Sequence, residues 1–172
     1  KTQEASYTSA TMKRTCSLCT LNSALDSSNL RDGASTVDSI AYGKSILREK
    51  IESLALVAQS LDASFAQAVE CLLSQEPRAR IVISGMGKAG FVGMKVSATL
   101  ASIGFPSFFL HPADAIHGDL GRLHPEDITI LFSHSGETEE VNRLLPRIKR
   151  FGAKIISITA SASSTLGQHS DI

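Results

Sequence analysis

Residues 81–90 read Ile-Val-Ile-Ser-Gly-Met-Gly-Lys-Ala-Gly, an apolar, β-branched run that breaks into a glycine turn. Four residues, Ile81 to Ser84, suit a short buried strand, and the spacing over 91–103 predicts a helix. A strand, a tight turn and a helix make the first half of a βαβ unit. Outward from this stretch the alternation repeats. Residues 106–110, 128–132 and 154–159 read as further strands, and 139–151 as a helix. Such repetition predicts right-handed βαβ units and a parallel sheet covered on both faces. The expected fold class is α/β, a doubly wound, flavodoxin-like αβα sandwich. Ligands of such sheets bind at the carboxyl ends of the strands, so function is sought in the turns that follow them.

The first turn, Gly85 to Gly90, matches the letters of a dinucleotide fingerprint. That use also needs an acidic residue about 20 positions on, for the ribose hydroxyls. The chain there reads Leu110-His111-Pro112, and the nearest carboxylate is Asp114. A phosphate-binding P-loop fails as well, because Val82 stands where its first glycine belongs and Ala89 where its Ser/Thr belongs. What survives is a glycine turn at a helix start with a cation beside it, a candidate anion site at Gly87 and Lys88. The structural alternative is a glycine turn with Lys88 pointing to solvent.

The third strand runs into Ser133-His134-Ser135-Gly136-Glu137-Thr138-Glu139-Glu140. Hydroxyls at Ser133, Ser135 and Thr138 surround a glycine where a helix begins, an arrangement that favours a dianion such as phosphate. No G-x-S-x-G elbow is present, which argues against acyl transfer. Ordinary N-capping by Thr138 accounts for Thr138 and one glutamate but not for three hydroxyls around Gly136. A second Ser/Thr cluster, 161–165, follows the fourth strand at the equivalent place. Between the two turns, residues 111–121 carry His111, Asp114, His117 and Asp119. This group suggests proton transfer or metal binding; it lacks metal-ligand spacing, so no metal is expected. A loop histidine is equally often a hydrogen-bonded surface residue.

Residues 1–35 behave differently. Ser and Thr fill 12 of these 35 positions and no apolar periodicity persists, which predicts a disordered Ser/Thr-rich tail. Its Cys16 and Cys19 lack the second pair that zinc requires. Domain organisation is therefore expected as 1–35 tail and 36–172 α/β domain. Helical spacing of Ile40, Leu47, Ile51, Leu54, Val57 and Leu61, continued by Phe65, Val69, Leu72 and Leu73, predicts scaffold helices or an oligomer surface. Cys71 fits a core thiol.

Over the whole chain of 172 residues, 17 basic and 17 acidic side chains cancel. That balance gives no electrostatic footprint for nucleic acid or an anionic membrane. No apolar run approaches the roughly 20 residues of a membrane span. With three cysteines and no disulfide framework, the expectation is a cytoplasmic protein without nucleic-acid or membrane partners.

The motifs GMGKAG, HPADAIHGDLG and SHSGETEE, in this order and spacing, resemble the sugar isomerase (SIS) domain, and most closely the arabinose-5-phosphate isomerases. The resemblance covers about residues 42–172. It implies a five-stranded parallel sheet, a homotetramer and a sugar-phosphate ligand. It also implies cofactor-free interconversion of D-ribulose 5-phosphate and D-arabinose 5-phosphate through an enediol, supplying Kdo and lipopolysaccharide synthesis. Position by position, it places a catalytic lysine at Lys88, a loop histidine at His117 and an active-site glutamate at Glu140. Gly87, Lys88, Ser133, Ser135 and Thr138 match the substrate and phosphate contacts. Asp114 and His134 depart from the family's usual Glu and Asn. A later stretch with a second Glu and a further His is expected beyond Ile172, so the domain reads as truncated at its C-terminus. A non-catalytic sugar-phosphate-binding module or regulator, or another SIS aldose–ketose isomerase, is the alternative.

Overall fold

The computed structural model describes residues 38–172. The expectations for the 1–35 tail, Cys16 and Cys19 lie outside these residues. The chain divides into two compact units, Lys1–Gln59 and Ser60–Ile172.

The described part of the first unit is helix α1 (Ser39–Ser60). Asp38 starts it, its carboxylate accepting from the N–H groups of Ile40 at 3.0 Å and Ala41 at 3.1 Å. The apolar stripe read from the sequence is present, and Ile40, Leu47, Ile51 and Leu54 are all 65–70 % exposed.

The second unit opens with α2 (Ala63–Leu73), capped by Asp62, whose side chain accepts from Ser64 N–H at 2.8 Å. Then come β1 (Ile81–Gly85), α3 (Gly87–Ser102), β2 (Ser107–Phe109), α4 (Pro112–Ile116) and a 3-10 turn (Asp119–Arg122). After these follow β3 (Ile128–Phe132), α5 (Glu139–Asn142), α6 (Leu145–Phe151), β4 (Lys154–Ile158) and α7 (Thr165–Gln168). All strand pairs are parallel, in the order β2-β1-β3-β4.

The strands are continuous apolar runs because both faces are covered. Side chains alternate between faces. Ile81, Ile83, Ile128, Ile130, Phe132 and Ile156 pack on one side with Cys71 of α2 and Val96 and Leu100 of α3. Val82, Leu131 and Ile155 pack on the other with Ala115, Val141, Leu145, Ile148 and Leu166 from α4 to α7. This is the expected αβα sandwich. Cys71 is buried, as a core thiol should be.

Four strands are present among the described residues, against the five implied by the family resemblance. Ile172 nevertheless lies along the outer edge of β4. Its N–H donates to Ile155 O at 3.3 Å and its carbonyl accepts from Ser157 N–H at 2.8 Å. That reciprocal pair is the bonding pattern of a parallel neighbour opposite Ile156.

Three boundaries differ from the sequence reading. The helix expected at 91 starts at Gly87, since the glycine turn itself is its first turn. The helix expected over 139–151 divides into α5 and α6, because Pro146 has no N–H to offer the carbonyl of Asn142. The segment 111–121 contains a helix and a 3-10 turn where only a loop was expected.

The amino edge of the sheet is locked by charge. Arg80 donates to Asp127 through Nε at 3.2 Å, Nη2 at 2.6 Å and its backbone N–H at 2.9 Å, and His124 N–H adds a fourth bond at 2.9 Å. Arg80 Nη2 also reaches Arg122 O, and both guanidinium groups lie over the Phe108 ring. Burial pushes the Asp127 carboxyl up, yet the bonds from Arg80 and His124 outweigh it and hold the group below the usual carboxylate range.

Candidate functional site at the carboxyl edge of the sheet

β1 lies between β2 and β3, and its last residue, Gly85, pairs with Phe132, the last of β3. The chain leaves β1 toward β2 and leaves β3 toward β4, in opposite directions. The two following turns diverge, and the crevice between them is the topological switch point of the sheet. An open hollow of about 370 Å³ lies here, lined by Ala89 and Val92 of α3, Phe132 to His134, and Ile158 to Ala160.

The first wall is the glycine turn. α3 packs so closely on β1 that a Cβ on Gly90 would stand 2.6 Å from the Gly85 carbonyl oxygen. Only glycine permits that approach. Gly87 and Lys88 form the exposed first turn of this helix, and Lys88 has no ion pair among the described residues.

The second wall is the hydroxyl turn. Ser133, fully buried, shares a 2.7 Å bond with the Thr138 hydroxyl and accepts from Gly136 N–H at 3.1 Å. Ser135 Oγ accepts from Glu137 N–H at 3.1 Å. Two hydroxyls of the expected trio, Ser133 and Thr138, are joined beside Gly136, while Ser135 bonds Glu137 N–H. Thr138 sits at the N-cap position of α5, but its side chain makes no capping bond, being committed to Ser133. The capping alternative does not describe what this residue does. Gly136 adopts φ +69°, which its lack of a side chain allows.

Residues the sequence reading passed over hold this turn. Asn142 Nδ2 donates to Gly136 O at 3.1 Å, while its buried Oδ1 has no hydrogen-bond partner among the described residues. Glu137 reaches 28 residues ahead to accept from Thr165 N–H at 2.7 Å. Neither residue has a spacing signal in the sequence, since both act through tertiary contacts.

The 111–121 segment lies beyond β2. His111 caps α4, its Nδ1 accepting from Ala113 N–H at 3.3 Å, and its ring meets the edge of Phe109. It is thus the bonded structural histidine. His117 follows α4, exposed and without a hydrogen bond to its ring among the described residues, and Asp114 is exposed too. Asp119 pairs with Arg122 at 3.6 Å on the surface. α4 packs against α5, which brings the His117 segment toward the helix bearing Glu140. Glu140 is partly buried in the first turn of α5, whereas neighbouring Glu139 pairs with Arg143 at 2.6 Å. No hydrogen bond or ion pair among the described residues joins Lys88, His117 and Glu140 to one another. No cluster of His, Cys, Asp or Glu suited to a metal ion occurs among the described residues, and no helix there is long and apolar enough to cross a membrane.

Comparison with known proteins converges on one family. The SIS domain family matches residues 72–172. The chain is 51% identical over 123 residues to a Haemophilus influenzae protein named "Probable arabinose 5-phosphate isomerase", covering 70% of this chain and 36% of the relative. It is 46% identical over 142 residues to arabinose 5-phosphate isomerase KpsF of Escherichia coli O6:H1, covering 81% and 43% respectively. The chain thus spans about two fifths of the length of these curated relatives. Among solved structures, an E. coli CFT073 protein in complex with A5P superposes with a TM-score of 0.75 at 37% identity, over 80% of this chain and 72% of that one. Motifs, sheet topology and these relatives agree: the chain belongs to the SIS domain family.

Proposed function

We propose that this chain is the SIS portion of a phosphosugar isomerase interconverting D-ribulose 5-phosphate and D-arabinose 5-phosphate. The observation that carries the reading is the pairing of Gly85 with Phe132, which sets the Lys88 turn and the Ser133–Thr138 turn on the two walls of one crevice. The names of the curated relatives supply the identity of the sugar.

Aldose–ketose isomerisation moves a proton between C1 and C2 through an enediol. It requires a base for the carbon acid, a proton source for the neighbouring oxygen and a cation for the developing oxyanion. In this proposal Glu140 transfers the proton and Lys88 stabilises the oxyanion. His117 assists proton movement or orients the sugar. Gly87, Ser133, Ser135 and Thr138 hold the phosphate, which fixes the substrate by an end remote from the reaction. The proposal extends to a cytoplasmic homo-oligomer, a tetramer by family resemblance, acting in Kdo precursor supply.

A second reading, a sugar-phosphate-binding module without turnover, is favoured by one observation. The hydroxyl turn is completed by its own hydrogen bonds and needs neither Lys88 nor Glu140 for its shape. Incubation with D-ribulose 5-phosphate, followed by NMR for D-arabinose 5-phosphate, separates the two. Product supports the isomerase; saturable binding without product supports the module; neither binding nor product overturns both.

A further inference from the structure

The sequence presents two hydroxyl-rich turns at the same sheet edge, 133–138 and 161–165, and by composition either suits phosphate. Their hydrogen bonds separate them. In the second turn the polar groups are spent within the turn and on the first one. Ser161 and Ser163 hydroxyls bond each other at 2.8 Å, and Ser164 Oγ donates to Ser161 O at 2.7 Å while accepting from Gly167 N–H at 3.2 Å. The turn and the residues that flank it also bond to the first turn. Leu166 N–H donates to Gly136 O at 3.0 Å, Ala160 N–H to His134 O at 2.9 Å, and Thr165 N–H to Glu137 Oε1 at 2.7 Å. The fit is tight enough that a Cβ on Gly136 would overlap the Ser164 side chain.

We propose that the 161–165 turn is a brace, not a second anion site, and that Glu137 is the positioning residue that latches the phosphate turn onto it. This inference rests on the phosphate-binding role proposed above for Ser133, Ser135 and Thr138. Glu137 lies inside a turn meant for an anion, where a free carboxylate would repel the ligand. The bond to Thr165 gives that charge a partner and fixes the backbone on either side of Gly136. The Thr165 backbone N–H, then its side chain, holds the Glu137 carboxyl below the usual carboxylate range, consistent with a bond made to the charged form. Because the carboxylate accepts a single N–H, a glutamine amide oxygen can take its place, whereas alanine cannot.

The test uses the full chain and two probes, inorganic phosphate and D-arabinose 5-phosphate, with affinities read by calorimetry and the Gly136, Glu137 and Thr165 amides followed by NMR. Glu137→Ala is expected to weaken both ligands roughly three- to tenfold, the worth of one lost hydrogen bond. Glu137→Gln is expected to stay within about twofold of the parent, rescued by its amide oxygen. Thr165→Pro removes the donor at the first position of α7, where proline is tolerated. It should match Glu137→Ala, and the double variant should be no worse than either single one, because both delete the same bond. Thr165→Ala keeps the N–H and serves as the control for the lost hydroxyl. Equal affinities in the parent and Glu137→Ala overturn the latch, as does a glutamine variant as weak as the alanine one or additive losses in the double variant. A parent chain that binds neither probe overturns the phosphate reading itself, and so is distinguishable from failure of the latch alone.

Discussion

The two edges of the sheet are built from opposite uses of charge. At the amino edge, Arg80 and Asp127 spend their polar groups on each other, on His124 and on Arg122, across 47 residues of sequence. At the carboxyl edge, Lys88 and His117 are exposed, and among the described residues neither they nor Glu140 has an ion-pair partner. The first arrangement holds two strands in register. The second leaves a cation, an imidazole and a carboxylate free to meet a ligand. Hydroxyl groups behave alike in the two turns: Ser161 and Ser163 bond each other, and Ser133 bonds Thr138. In the proposed function, stability and chemistry occupy opposite ends of the same strands.

The sharpest way to break this comparison is to remove a free group at the carboxyl edge. Glu140→Gln is expected to lower turnover of D-ribulose 5-phosphate by about 10²–10⁴-fold, while the thermal midpoint and sugar-phosphate binding persist. Full turnover would remove Glu140 from the chemistry. Next in size, Asp127→Ala is expected to cost about 2 kcal/mol of stability by denaturant titration, since it removes a buried carboxylate that accepts four hydrogen bonds from Arg80 and His124. The Asp127 carboxyl is depressed in the folded chain, so its contribution is present above its ordinary value of 3.8 and is lost as pH falls through the lower folded value. Acid unfolding of the alanine variant should lack that component. A smaller effect is expected of Ser135→Ala, a rise in KM of roughly three- to tenfold with kcat nearly unchanged, because a uniform phosphate contact is lost. Smallest is Arg143→Ala. Its pair with Glu139 is exposed on both sides, and its loss should stay within about 0.5 kcal/mol. A large effect there would mean that α5 depends on surface charge.

The strands could be read from the sequence because burial on both faces leaves short, mostly apolar runs, as in Ile81-Val82-Ile83 and Ile128 to Phe132. The crevice could be read because a glycine turn and a hydroxyl turn follow adjacent strands. What escaped reading depends on tertiary bonds. Arg80 and Asp127 belong to no motif. His111 as a helix cap is foreign to the usual capping residues, so α4 looked like loop. The break between α5 and α6 turns on the one absent N–H of Pro146, and composition alone cannot tell the brace from the phosphate turn. The α1 stripe was read correctly as a pattern, but pattern alone does not say what covers it.

The contact at Gly90 has a consequence for the lysine two residues before it. With the helix backbone seated against the end of β1, the conformational freedom of exposed Lys88 lies in its four-carbon arm. Immobilising such an arm costs about 2 kcal/mol of rotamer entropy. If the proposed function holds, ligand binding at this crevice carries an entropic cost set by one side chain, and a shorter cation on the same backbone would start with less freedom to lose.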